Sequence, residues 1–291
     1  MSKSITQGII LGLGTILLFL FLTSPFGFVR EASLFNLLIL GVLGVTIFVG
    51  STSTSKDFVQ WFKVKNRRDF LGDAGLGVIL GFVGLVLWGL FSNILTYGMS
   101  LLGGTNVSLL SSTTIDGAIF GVFINPITEV FLLVGIGLAL HHYLPKKMVF
   151  KVLISIFVVS MIFAGIHFNA KQNYAESNGI VFPYESSISG VATAIFDVQN
   201  LGSENYVGMF PQLILGMFWI GLGFGFKSFI VPIFAHWSSN VYISYVNTSN
   251  PEVQAFIFGI LALLVILTLI ALQQGLVQRE LKTFKGKVFF T

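Results

Sequence analysis

Three ionisable side chains fall well inside apolar runs of the sequence. They are Glu129 in Asn125-Pro126-Ile127-Thr128-Glu129, His167 in Phe163-Ala164-Gly165-Ile166-His167, and His236 in His236-Trp237-Ser238-Ser239-Asn240. A carboxyl group in a low-dielectric setting can exchange a proton near neutrality, and a neighbouring imidazole can share a water with it. His236 and Asn240 are four apart, so on a helix they share a face and can donate hydrogen bonds to an oxyanion. Glu129 with His167 and His236 is also a ligand set for Zn²⁺ that leaves a fourth position open for water. Either arrangement can hydrolyse an amide. Each histidine alone has an ordinary account as an interhelical hydrogen bond. An acidic side chain at mid-membrane, by contrast, needs a partner or a proton.

The elements that must position these groups follow from composition. Of 291 residues, 54% are hydrophobic and only 10% are charged, against about 25% charged in a soluble domain. The chain is therefore expected to be an all-α membrane protein, a single transmembrane domain over 1–291. Eight apolar stretches approach the roughly 20 residues that a bilayer requires. They lie near 5 to 24, 32 to 50, 70 to 98, 114 to 143, 149 to 170, 205 to 226, 228 to 247 and 253 to 274. The sequence has no cysteine, so nothing about redox compartment follows.

Charge sets the expected orientation. With the N-terminus inside, 14 of the 16 Lys and Arg fall on cytoplasmic segments, including a loop at about 51–69 and a tail at about 275–291, and only Arg30 and Lys171 fall outside. The basic excess is thus a topology signal that puts both termini in the cytoplasm, and not a nucleic-acid surface. The outer segment at about 171–204 mixes acidic residues with apolar pieces such as Gly179-Ile180-Val181-Phe182-Pro183, the pattern of a cap or re-entrant loop. Asn-x-Ser sequons at Asn106 and Asn247 also fall on expected outer loops. Asp73 and Asp116 stand near expected helix starts and His141 and His142 near a helix end, where the helix dipole accommodates them. Gly8/Gly12 and Gly221/Gly225 have the small-xxx-small spacing of close helix crossings. Pro126 cannot donate to the Val122 carbonyl, so the helix carrying Glu129 is expected to bend one turn before it.

These residues resemble the CPBP family of intramembrane proteases, which includes type II CAAX prenyl proteases and bacteriocin-processing or immunity proteins. The family pattern is a proline-led segment ending in EExxxR, then FxxxH, then HxxxN or HxxxD, each on its own helix. Pro126 to Glu129, Phe163 with His167, and His236 with Asn240 follow that order, over helices at about 114–247. The resemblance implies an intramembrane endopeptidase acting on a membrane-anchored peptide, lipidated or not. Glu129 and His167 would activate water and His236 and Asn240 would stabilise the oxyanion, with or without a Zn²⁺ held by Glu129, His167 and His236. Val130 and Val134 stand where the family has its second glutamate and its arginine, which leaves open a catalytically inactive binding or immunity partner. A proton- or cation-coupled transporter is the other competing class, but such a fold should show two related halves, and none is detected.

Overall fold

The computed structural model describes residues 61, 67–100, 122, 125–145, 150–200, 206–248 and 250–279, with 91–100 as backbone alone. The expected spans at 5 to 24 and 32 to 50, the start of the one at 114, Asp116, the Asn106 sequon and the tail beyond 279 lie outside them. The regular elements among the described residues are all helices: α1 (Arg67–Ser100), α2 (Asn125–Tyr143), α3 (Lys151–Ile166), α4 (Phe168–Ser177), α5 (Ile188–Phe196), α6 (Phe210–Phe226), α7 (Ile230–Asn247) and α8 (Pro251–Gln273). Three stretches are long and apolar enough to cross a bilayer, Arg68–Leu90, Lys151–Ser177 and Pro251–Gln273, and α6 is a shorter apolar helix beside them. Large apolar side chains such as Val86, Leu90, Phe258, Leu263 and Leu269 are exposed on the outer faces of α1 and α8. In water that surface would be a liability, whereas lipid tails match it at no cost. The chain is thus an all-α membrane protein, although eight spans are more than the described residues show.

Helices α1 and α7 run parallel, with Asp73, Gly77 and Gly81 against Ser228, Val231 and Ala235 in turn, and their first turns lie at the same end of the bundle. Arg279 pairs with Asp69 at the start of α1. Trp61 packs edge-on against Phe224 and Phe229, at 5.4 and 6.3 Å, where α6 turns into α7. His141 at the end of α2 meets Phe224 as well. Arg68, Lys227 and Arg279 therefore share one end of the bundle.

Asp73 does not open its helix as expected, because α1 already begins at Arg67. It serves another helix instead. Ser228 Oγ–H donates to Asp73 Oδ2 at 2.6 Å, and Ser228 Oγ itself accepts the backbone N–H groups of Ile230 and Val231 at 3.1 and 3.4 Å. A carboxylate is thereby linked through one hydroxyl to the positive end of α7. Lys227 allows the tight reversal from α6 by taking a left-handed conformation, φ 52°.

The closest helix crossing is between α1 and α7. A Cβ on Gly77 would stand 2.5 Å from the Val231 carbonyl oxygen, and one on Gly81 would stand 1.9 Å from Ser238 Oγ and 2.4 Å from the Ala235 carbonyl oxygen. Ser238 and Ser239 each direct a hydroxyl between an α7 carbonyl and one on α1, those of Val78 and Gly81, both at 3.3 Å. Small residues that bring backbones together are the usual source of cohesion where lipid removes the hydrophobic driving force. The expected Gly221/Gly225 crossing is not of this kind, since a Cβ on Gly221 would meet only Ile156 Cδ1 at 4.0 Å.

The 171–204 segment is more ordered than a simple loop. Helical structure continues through α4 to Ser177, and α5 follows with Ser187 Oγ capping it by accepting from the Gly190 N–H at 3.0 Å. Val191, Ala194 and Ile195 of α5 pack on Ala164, Phe168, Met209 and Leu213. Asp197 closes the segment. Its carboxylate accepts from Tyr184 Oη–H at 2.5 Å and from Asn200 Nδ2–H at 3.0 Å, and its carbonyl accepts from Tyr206 Oη–H at 2.7 Å. Burial alone would raise the Asp197 carboxyl, but the hydrogen bonds from Tyr184 and Asn200 outweigh it and hold the group below its usual value. A carboxyl lowered on folding contributes stability above the ordinary carboxylate range, near pH 4, and loses it as pH falls through the lowered value. Amide protection over 180–200 should therefore persist in mild acid and drop only in stronger acid. Asp197→Ala should weaken it at every pH and flatten the dependence, as followed by hydrogen exchange.

Candidate functional site

Glu129 sits one turn into α2. Pro126, the second residue of α2, has no N–H to offer the Val122 carbonyl, and the bend expected one turn before Glu129 falls on residues outside the described ones. Asn125 Oδ1 finds no donor among the described residues, and the Thr128 side chain lies outside them.

His236 sits on the second turn of α7, and its Nε2 faces Glu129 Oε2 at 3.6 Å. That is long for a direct hydrogen bond but close for an acid and a base. Both residues are buried, with 8% of Glu129 and 4% of His236 exposed. Placing one proton between them keeps the pair neutral overall, which is how a carboxyl is tolerated among apolar helices without a Lys or Arg.

The imidazole of His236 is held by aromatic rings. Trp219 of α6 stacks on it with centroids 3.7 Å apart and planes 20° from parallel, and Phe163 of α3 approaches edge-on at 6.3 Å. Phe163 fits because position 216 is glycine, where a Cβ would stand 2.8 Å from its ring. Helices α2, α3, α6 and α7 thus enclose a small cavity bounded by Glu129, Val130, Val134, Phe163, Trp219 and His236, with ≈ 10 Å³ in which a water centre fits. That is room for about one water. Trp219 Nε1 and His236 Nδ1 are buried with no hydrogen-bond partner among the described residues.

His167 occupies the break between α3 and α4 rather than the interior of one helix. Its Nδ1 lies 2.8 Å from the Phe163 carbonyl oxygen. A carbonyl only accepts, so Nδ1 carries the hydrogen and Nε2 keeps its lone pair for a proton or a metal. The ring also rests on Phe163 at 4.6 Å, which places one aromatic ring between the two histidines. Neither His167 nor Asn240 lines the cavity, and Asn240 lies half-buried one turn beyond His236. Of the four residues singled out by sequence, the structure brings Glu129 and His236 face to face and sets His167 one ring away. No three His, Asp or Glu among the described residues form a metal-ligand cluster.

Val130 and Val134 are both buried, and Val134 packs over Gly223. The cavity wall beside Glu129 is therefore apolar. Sequence reasoning did not find Trp219, which is one aromatic in a uniformly apolar run. It also passed over Gly77 and Gly81, whose spacing was a usable signal.

The fold and the site together define an all-α membrane protein with an acid–base pair buried between its helices. The chain matches no family model, and no curated protein or solved structure shows significant similarity to it.

Proposed function

We propose that the chain is an intramembrane endopeptidase, a hydrolase of the CAAX-protease type, that cleaves a peptide bond in a membrane-anchored substrate. The observation that carries this reading is the Glu129 carboxyl facing the His236 imidazole at 3.6 Å among apolar helices. Glu129 takes a proton from a water in the cavity, and the water oxygen attacks the scissile carbonyl. His236, with Asn240 beyond it, donates to the oxyanion, and the proton held by Glu129 passes to the leaving amine. A Zn²⁺ held by Glu129, His167 and His236 would polarise the same carbonyl.

The apolar wall of Val130 and Val134 and the small volume of the cavity favour a second reading, a catalytically inactive membrane binding or immunity partner. The two separate on one experiment. Purified protein in proteoliposomes is incubated with membrane-anchored peptides, prenylated and not, with and without chelator. Cleavage insensitive to chelator supports the glutamate mechanism, and loss on chelation supports the metal. No cleavage together with saturable binding to an anchored peptide would transfer the reading to the partner.

Both termini and the 51–69 loop are assigned to the cytoplasm. The sequence has no cysteine, so single cysteines can report this without background. Labels placed in the 51–69 loop and beside Lys227 should react only from the cytoplasmic face. Reaction of the loop from outside would overturn the orientation.

A further inference from the structure

Helix α5 divides into three faces. Gly190, Val191, Ala194 and Ile195 are buried against the bundle. Ser189 and Thr193 form an exposed polar ridge, on which Thr193 Oγ1–H donates to the Ser189 carbonyl at 2.9 Å. Ile188, Ala192 and Phe196, spaced by four, form a second outward ridge that is wholly apolar, with Ile188 59% and Phe196 46% exposed. Val181 and Val198, before and after the helix, are exposed as well.

What lies against that ridge can be read from its neighbour. The Phe196 ring packs against Phe157 of α3 with centroids 6.4 Å apart. Phe157 belongs to a stretch long and apolar enough to cross a bilayer, and with Phe150 and Leu153 it forms an exposed apolar stripe along that helix. The α5 ridge therefore continues the surface that α3 turns to lipid. A segment leaving the membrane for water would not extend that surface with exposed Phe, Ile and Val.

We infer that helix α5 lies against lipid beside α3, with its Ile188/Ala192/Phe196 ridge among acyl chains and its Ser189/Thr193 ridge turned away from them. The helix also covers the seam between α3 and α6, packing on Ala164 beside Phe163 and on Leu213, one turn from Gly216. This inference rests on the membrane fold and not on the hydrolase reading, so either can fail alone.

The test uses the full chain in phosphatidylcholine/phosphatidylglycerol vesicles, with single cysteine spin labels at 188, 189, 193 and 196. Accessibility to oxygen, which concentrates in acyl chains, is compared with accessibility to a water-soluble nickel chelate. The oxygen-to-nickel ratio should be several-fold higher at Ile188→Cys and Phe196→Cys than at Ser189→Cys and Thr193→Cys. Equally low ratios at all four sites would place the helix in water and overturn the inference, and equally high ratios would overturn the division of its faces. Low accessibility of 188 and 196 to both reagents would overturn it too, because a protein surface and not lipid would then cover the ridge.

Discussion

Glu129→Gln is expected to lower the cleavage rate by on the order of two to four decades while leaving the bundle folded. The amide is nearly isosteric with the carboxyl, so the packing against Phe163, Trp219 and the two valines is preserved. It can still face His236. What it cannot do is accept a proton from water, and that step is the whole role assigned to the side chain. Stability should hold or rise slightly, because an amide among apolar helices carries no charge to desolvate. If Glu129 merely packed the bundle, the rate would be unchanged, and an unchanged rate would sink the mechanism. His236→Gln separates the partners further: loss of activity at intact thermal stability assigns the imidazole to chemistry, whereas loss of both assigns it to holding Glu129.

Gly81→Val is expected to be the most damaging single change to the fold. The added carbons must occupy space within 1.9 Å of Ser238 Oγ and 2.4 Å of the Ala235 carbonyl oxygen. Part of that obstacle is backbone, so no rotamer change relieves it and α1 must move away from α7. Overpacking of this kind costs about 1–3 kcal/mol and more where backbone is struck. The consequence reaches the site, because Ala235 precedes His236 and a displaced α7 carries the imidazole away from Glu129. Gly89→Ala on the same helix is the control, since nothing lies within 4 Å of the added Cβ. It should be neutral or stabilising by up to about 1 kcal/mol. Thermal unfolding in one detergent compares the two, and equal stability would refute the close-crossing account.

Much of the architecture was legible because its signals are local. An apolar run long enough to span a bilayer is a property of consecutive residues. The missing donor before Glu129 could be read from Pro126 alone, since it is set by the residue and not by its surroundings. Asp73 was misplaced for the opposite reason. Its position near the start of an apolar run predicted a cap on its own helix, but α1 begins earlier and the carboxylate answers the N-terminus of α7 through Ser228. Likewise Gly221 and Gly225 had the spacing of a crossing, while the actual crossing falls at Gly77 and Gly81, because spacing marks where helices can approach and packing chooses where they do.

By itself the sequence determined that this chain belongs in a bilayer and that Glu129, His167 and His236 are its interior ionisable groups of interest. The desolvation cost that makes them notable depends only on their being set in apolar runs. Tertiary structure alone decided that Glu129 faces His236, that Trp219 fixes the ring between them, and that His167 stands behind Phe163 at a helix break. Those relations join side chains from α2, α3, α6 and α7. They depend on how closely four helix backbones approach and how each is rotated about its axis, and no single stretch of sequence carries that information.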